Sequence, residues 1–447
     1  MIPHFDLLIR GGEAVTPGGR LKLDIGVHDG RTAALGHFES NSADAVLDVP
    51  GLVILPGVID THVHFREPGS EPKEDIESGS RSAALGGVTA VFEMPNTRPP
   101  TVDQATFEDK LRRAKGRSWC DYAFFVGAAH GNLDRLGELE RQPGCAGVKL
   151  FMGSSTGDLL VADTESVRRT LQNGFRRVAV HSEDEERLVK RRALLEDRPD
   201  VSMHPFWRDA EAAVLNTERL LRLARETGRR VHVLHVTTAG EVDLLARHKD
   251  VATAEVTPQH LTLEAPHCYR RLGTLAQMNP PIRDERHRLG LWRGLESGLF
   301  DTIGSDHAPH TRQEKAEPYP RSPSGMPGVQ TLLPVMLDHV AAGRLSLERL
   351  VDLTSAGPAR VFGIARKGRI ARGYDADFTI VDLGTRRRIR ESWIASRCGW
   401  SPFAGREITG WPIHTVIGGR IVMRDGRLEG APGGRPVEFL ETLSPAS

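Results

Sequence analysis

The chain has 447 residues, with 59 Lys and Arg against 59 Asp and Glu, so its formal net charge is zero. That balance excludes a dedicated nucleic-acid binder, which would carry a basic excess or stripe, but not a small anionic substrate held by one or two local cations. No run of 18 apolar residues and no signal-peptide pattern is present, and the four cysteines (Cys120, Cys145, Cys268, Cys398) are scattered without a CxxC; the expectation is a cytoplasmic protein with no membrane contact, no disulfide framework and no cysteine zinc site.

Residues 5–50 read as short strands and tight turns: Asp6 to Arg10, Gly11-Gly12, Asp24 to His28, then Asp29-Gly30, the pattern of hairpins. The far end matches it with Asp377 to Asp382, Thr415-Val-Ile, Gly418-Gly419 and Arg420 to Met423. Both ends are therefore expected to form one small β-sandwich domain, residues 1–52 with 366–428, followed by a tail, 429–447, that is a strap or loosely ordered. Between them, 53–365, short apolar runs alternate with helical stretches. The predicted strands are 53–60, 88–94, 122–129, 146–152, 177–182, 230–237, 251–257 and 301–306, with helices such as 107–114 and Ala212 to Glu226, closing at Gly228. Eight strand–helix units predict an α/β fold, a (β/α)8 TIM-like barrel; a doubly wound open sheet is the alternative. No GxGxxG or GxxxxGK[ST] loop follows any strand, so the nucleotide-binding folds lack their fingerprint.

In such a barrel, chemistry sits at the C-terminal ends of the strands. Those ends carry His62, His64 and Arg66 after strand 1, Asn96 after strand 2, Lys149 in strand 4, His181 in strand 5, His235 in strand 6 and Asp306 and His310 after strand 8. His62 and His64 are two apart, so a strand puts both imidazoles on one face, with Asp60 placed to brace a ring nitrogen. An isolated HxH means little; four histidines and an aspartate at neighbouring strand ends point to a metal site. Lysine lowers its pKa readily when buried, and a neutral Lys149 amine can add CO2 to become a carbamate that bridges two metals; a core lysine paired to a carboxylate is the plainer reading. Asp306 could ligate a metal and take the proton of a bridging hydroxide, or simply cap a helix. Arg66 could capture a substrate carboxylate in a bidentate way. Asn96, Asn279 and His310 are further polar candidates, each also a common turn or cap residue. His232 alternates away from His235 and is expected to face the helices; His204 and most other histidines read as surface or packing residues, with His130 and His260 nearer the site end. The loops Gly153 to Gly157 and Pro318 to Gly328 could be lids or structural turns.

The segments Asp60-Thr-His-Val-His-Phe-Arg-Glu-Pro-Gly69 and Gly304-Ser-Asp-His-Ala-Pro-His310 resemble the two signatures of dihydroorotases in the amidohydrolase superfamily, and Glu93-Met-Pro-Asn-Thr97 and Asn279-Pro-Pro-Ile-Arg283 are also typical of that family. The resemblance spans about residues 5 to 428. It implies two zinc ions, one held by His62, His64 and Asp306, the other by His181 and His235, bridged by carbamylated Lys149 and hydroxide. It implies reversible interconversion of L-dihydroorotate and N-carbamoyl-L-aspartate in pyrimidine synthesis, with Asp306 shuttling the proton. Arg66, Asn96 and His310 would hold the substrate carboxylate, with Asn279 and the backbone near Ser324 and Gly325 on the ring. Allantoinase and dihydropyrimidinase (hydantoinase) share the scaffold; their substrates lack the ring carboxylate, and Arg66 with Asn96 favours dihydroorotase. A non-catalytic scaffold subunit supporting a transcarbamoylase is a remote alternative, since such proteins lose metal ligands. Gln259, where a second ring residue would be expected, departs from the family pattern. The expected partners are a small anionic cyclic amide and a second copy of the chain in a homodimer, with no nucleic acid and no membrane; a transcarbamoylase is an open possibility.

Overall fold

The computed structural model describes residues 4–155 and 159–443. Eight parallel strands stand side by side in chain order: Val58–Val63, Val88–Glu93, Asp121–Gly127, Cys145–Phe151, Val178–His181, Val231–Val233, Ala252–Val256 and Thr302–Ile303. The ring closes beyond the short last strand, where His64 N donates to His307 O at 2.7 Å and His307 N to His62 O at 3.3 Å. The fold is thus the expected (β/α)8 barrel. Its strands are apolar on both faces because helices cover the outside and side chains fill the inside. One interior layer is aromatic: Phe92, Phe125 and Phe362 meet edge to face at centroid distances of 5.6–6.3 Å.

The helices form where the sequence gives them caps. Ala210–Thr227 starts at Asp209, whose carboxylate accepts from Ala212 N, and stops at Gly228 in the left-handed conformation (φ 70°), a geometry glycine adopts without steric cost. Gln104–Ala114 starts with a reciprocal Asp103–Thr106 capping box.

Two further sheets pack on each other beside the barrel. One has four strands, in the order Arg31–Gly36, Asp24–His28, Phe5–Arg10, Ala43–Asp48. The other has seven and mixes both chain ends: Arg427–Leu428, Arg420–Arg424, Glu407–Ile417, Phe378–Arg388, Val53–Pro56, Glu13–Thr16, Gly19–Lys22. Leu7, Ile25, Leu47, Ile54, Phe378 and Val416 form the apolar layer between them.

Two expectations need correction, and the choice left open for the tail is decided. The apolar run 53–60 is two strands: Val53–Pro56 belongs to the seven-stranded sheet, and the barrel strand begins at Val58. Gly57 separates them at a crossing where a Cβ would lie 2.3 Å from Thr89 Oγ1 and 2.8 Å from Asp377 Cβ. The tail, as far as it is described, is a strap: Val437 N donates to Tyr122 O at 2.8 Å, and buried Phe439 meets Phe92 at 5.7 Å. Residues 444–447 lie outside the described residues, as do Thr156 and Gly157 of the first proposed lid. Finally, His232 does not face the helices. It is fully buried, bonds Thr253 Oγ1 (2.8 Å) and Thr302 Oγ1 (3.1 Å), and packs on Phe362 in the inner aromatic layer.

Candidate active site

The strand ends bring the sequence-picked residues to one place. His62 and His64 both turn Nε2 towards Asp306 Oδ1, at 3.3 and 3.2 Å. Their other nitrogens are anchored: His62 Nδ1 on Glu255 Oε1 and His64 Nδ1 on Asn96 Oδ1, both at 2.7 Å. A ring that donates from Nδ1 to a carboxylate or carbonyl oxygen keeps its lone pair on Nε2. Two lone pairs therefore face one carboxylate oxygen, an arrangement that repels unless a cation lies among them. His181 repeats the pattern. Its Nε2 is held by Glu183 at 2.9 Å, which leaves Nδ1 directed at His235 Nε2, 3.1 Å away. Burial pushes His62 down to about 3 and His64, His181 and His235 below the usual imidazole range, so all four stay neutral and able to ligate. His62, His235 and Asp306 each offer a donor atom, and these atoms lie within 4.8 Å of one another.

Lys149 enters the same space from the fourth strand. It is completely buried, and its Nζ has no hydrogen-bond partner among the described residues. Burial lowers it to about 7, so above neutral pH it is largely a free amine, the form that adds CO2. An unpartnered buried nitrogen beside four neutral histidines and a carboxylate fits a carbamate shared between two divalent cations. A structural lysine would leave that amine over the Phe151 ring, 4.6 Å from its centroid, with no hydrogen-bond partner among the described residues, and an unsatisfied buried polar group is costly. The chain holds this geometry against backbone preference. Of six non-glycine residues with positive φ among those described, three are Arg66 (63°), His235 (36°) and Asp306 (43°), a conformation that costs about 1 kcal/mol or more each.

Arg66 is buried (5% exposed); its Nε donates to Pro309 O at 3.1 Å, and its Nη2 lies 3.3 Å from His310 Nε2. With His64, Asn96, Asn279, Asp306, Ser324 and Gly325 it lines a cavity of about 20 Å3. That holds one or two waters. His310 stands behind Arg66 and outside the cavity lining. Asn279 Oδ1 accepts from His204 Nε2 at 3.0 Å, and Gly325 (φ 138°) passes so close to Ala308 O that a Cβ would sit at 2.5 Å.

Several residues that complete the site escaped the sequence reading. Glu255, not Asp60, braces the His62 ring; Asp60 Oδ1 instead accepts backbone N–H groups of His62 (3.2 Å) and Ser305 (3.0 Å). The signal for Glu255 is an acid inside the apolar strand Ala252–Val256, admitted because Gly304 has no Cβ to meet its carboxylate. Lys73 bonds His310 Nδ1 at 3.2 Å and pairs with Glu314 at 2.8 Å. Lysine can only donate, so His310 carries its proton on Nε2, bonded to Ser324 O at 3.0 Å. Arg66 Nη2, itself a donor, lies 3.3 Å from that nitrogen, and the guanidinium lines the cavity. Lys315 ties the wall together by donating to Gln277 O, Pro323 O and Gly325 O at 2.9–3.0 Å. His204 is buried against Asn279, and His260 supports the same turn through Pro280 O at 3.0 Å. His130 lies on the surface against Ser166. Gln259 ties strand 7 to strand 8 through Ser305 O at 2.6 Å.

The model of the amidohydrolase family matches residues 53–422. The chain belongs to the amidohydrolase family. This amidohydrolase is 37% identical over 414 residues to the dihydroorotase of Methanothermobacter thermautotrophicus, covering 92% of this chain and 93% of that one. It is 38% identical over 443 residues to the allantoinase of Rubrobacter xylanophilus, covering 96% and 97%. The solved L-hydantoinase (dihydropyrimidinase) of Arthrobacter aurescens superposes with a TM-score of 0.92 at 31% identity, covering 97% of this amidohydrolase and all of that chain. No helix among the described residues is long and apolar enough to cross a membrane.

Proposed function

We propose that this amidohydrolase is a dihydroorotase, interconverting L-dihydroorotate and N-carbamoyl-L-aspartate. One observation carries the choice among cyclic amides: the buried guanidinium of Arg66 lines the same cavity as Asp306. A fixed, desolvated cation beside the reacting end suits a ring that bears a carboxylate. It would be an unpaired buried charge against allantoin or dihydrouracil, whose rings bear none.

The donor set described above fits zinc: His62, His64 and Asp306 would hold one ion and His181 and His235 a second, with carbamylated Lys149 completing the set. When bound, the ions supply Lewis acidity to the scissile amide and acidify water. The rest falls to the chain. Arg66, kept cationic despite a shift down to about 10 by burial, binds the carboxylate in a bidentate way. His310, its tautomer fixed by Lys73, holds Ser324 O through Nε2–H and so positions the wall behind Arg66, and Asn96 and Asn279 bracket the ring. Asp306 accepts a proton from the attacking water as the C–O bond forms, and returns it to the amide nitrogen as the C–N bond breaks. Ring closure reverses both transfers.

Allantoinase is the second reading, favoured by the near full-length similarity to the Rubrobacter xylanophilus protein. The two separate when the zinc-loaded protein is incubated with L-dihydroorotate and, apart, with allantoin, and the products are resolved by chromatography. N-carbamoyl-L-aspartate is the expected product; ring opening of allantoin alone would overturn the assignment.

A further inference from the structure

Far along the chain from the barrel site, the sequence Arg386-Arg-Arg-Ile-Arg390 places four arginines within five residues. All four are exposed, and among the described residues none makes an ion pair or donates a side-chain hydrogen bond. By contrast, Arg113 and Arg117 both bind Glu67, and Arg187 and Arg191 both bind Asp209. The acids nearby are committed or fall short. Asp382 accepts from Gly384 N (2.8 Å) and Thr385 N (3.0 Å), Glu391 pairs with Arg312, and Glu407, though in register with Arg388, forms no ion pair. The four arginines, with Ser392, Trp393 and Trp411, line a cavity of about 520 Å3. Its floor is aromatic: Trp411 is buried under Trp393 (centroids 4.5 Å apart), and Arg387 lies over the Trp411 ring at 5.3 Å.

We infer that this groove is a binding site for a polyphosphate group, separate from the barrel site. Four exposed guanidiniums lining one cavity repel one another, and a compact anion of about matching charge relieves that repulsion. Their planar forks suit phosphate oxygens better than lysines would. The cavity volume falls in the range of small-ligand sites, and half-buried Trp393 offers an apolar wall to any ring attached to the phosphates. The polyphosphate could arrive free or on a nucleoside.

The test is equilibrium dialysis of the full-length, zinc-loaded protein against inorganic triphosphate and, separately, ATP, at about 0.15 M salt. The comparison protein carries Arg386→Gln and Arg388→Gln, both outside the hydrolytic machinery, so its circular dichroism and ring-opening activity should be unchanged. Comparing the two proteins cancels any capture of zinc by the polyphosphate. The expected result is saturable binding that weakens at least 10-fold in the double variant. Tighter binding of ATP than of triphosphate identifies a nucleotide as the source, and equal binding a free polyphosphate. No saturable binding, or equal affinity in the two proteins, overturns the inference. So does sedimentation showing that these arginines instead close a dimer that the double variant cannot form.

Discussion

Replacing Arg66 by glutamine removes the cation proposed to hold the substrate carboxylate while leaving an amide donor for Pro309 O, now served by Arg66 Nε at 3.1 Å. Arg66 is 5% exposed, so its loss belongs with buried, hydrogen-bonded charge pairs, where truncation costs about 2–5 kcal/mol, and not with exposed pairs worth about 0–1 kcal/mol. At about 3 kcal/mol, kcat/KM for L-dihydroorotate falls about 150-fold, since about 1.36 kcal/mol is a factor of ten. Zinc content should not change, because Arg66 is outside the proposed donor set of His62, His64, Lys149, His181, His235 and Asp306. The assay pairs steady-state kinetics with atomic absorption on the same preparation. Loss of zinc with unchanged kcat/KM per bound metal would refute the reasoning, because Arg66 would then be holding the metal site together and not the substrate.

Asp306→Asn keeps the side-chain shape but cannot accept the proton; kcat should fall about 10²- to 10⁴-fold with circular dichroism unchanged, and substantial remaining turnover would remove Asp306 from that role. Glu255→Gln should weaken zinc binding about 10- to 100-fold in competition with a chelator, by loosening the His62 ring; unchanged affinity would show that the brace is dispensable. Lys73→Met removes the hydrogen bond that fixes the His310 tautomer and so loosens its hold on Ser324 O; KM for L-dihydroorotate should rise up to about 10-fold, the worth of one charge-assisted hydrogen bond, with kcat and zinc content held. A fall in kcat at constant KM would contradict the positioning argument. Phe439→Ala leaves a hole against Phe92 at the foot of the barrel and should cost about 3–5 kcal/mol of stability, read as a lower denaturant midpoint; an unchanged midpoint would mean the strap contributes nothing.

Much of the site was legible because its residues interrupt apolar strands. Histidines 62, 64, 181 and 235, Lys149 and Asp306 each break a run that would otherwise be pure core, and the eight-fold alternation of strand and helix says which end of each strand matters. What escaped was geometry that strand periodicity cannot carry. His232 and His235 differ by three residues, so strict alternation puts them on opposite faces; the sixth strand stops at Val233, and the chain turns through a positive φ at His235, which brings both inside. The run 53–60 shows one continuous apolar stretch, and only the crowding around Gly57 reveals that two sheets share it. Glu255 and Lys73 act through His62 and His310, and a residue whose role is to orient another leaves no spacing pattern in the sequence. The glycine- and proline-rich tail reads as either a strap or a loose segment, and two buried side chains, Val437 and Phe439, pin it to the barrel.

L-dihydroorotate and dihydrouracil share one ring and differ by the carboxylate, so the ratio of their kcat/KM values on the zinc-loaded protein reads the Arg66 pocket directly. The account predicts a ratio of at least about 100 in favour of L-dihydroorotate, the loss expected when a buried charge is left without its partner. A ratio near one, or a preference for dihydrouracil, would contradict it and assign this amidohydrolase to neutral rings.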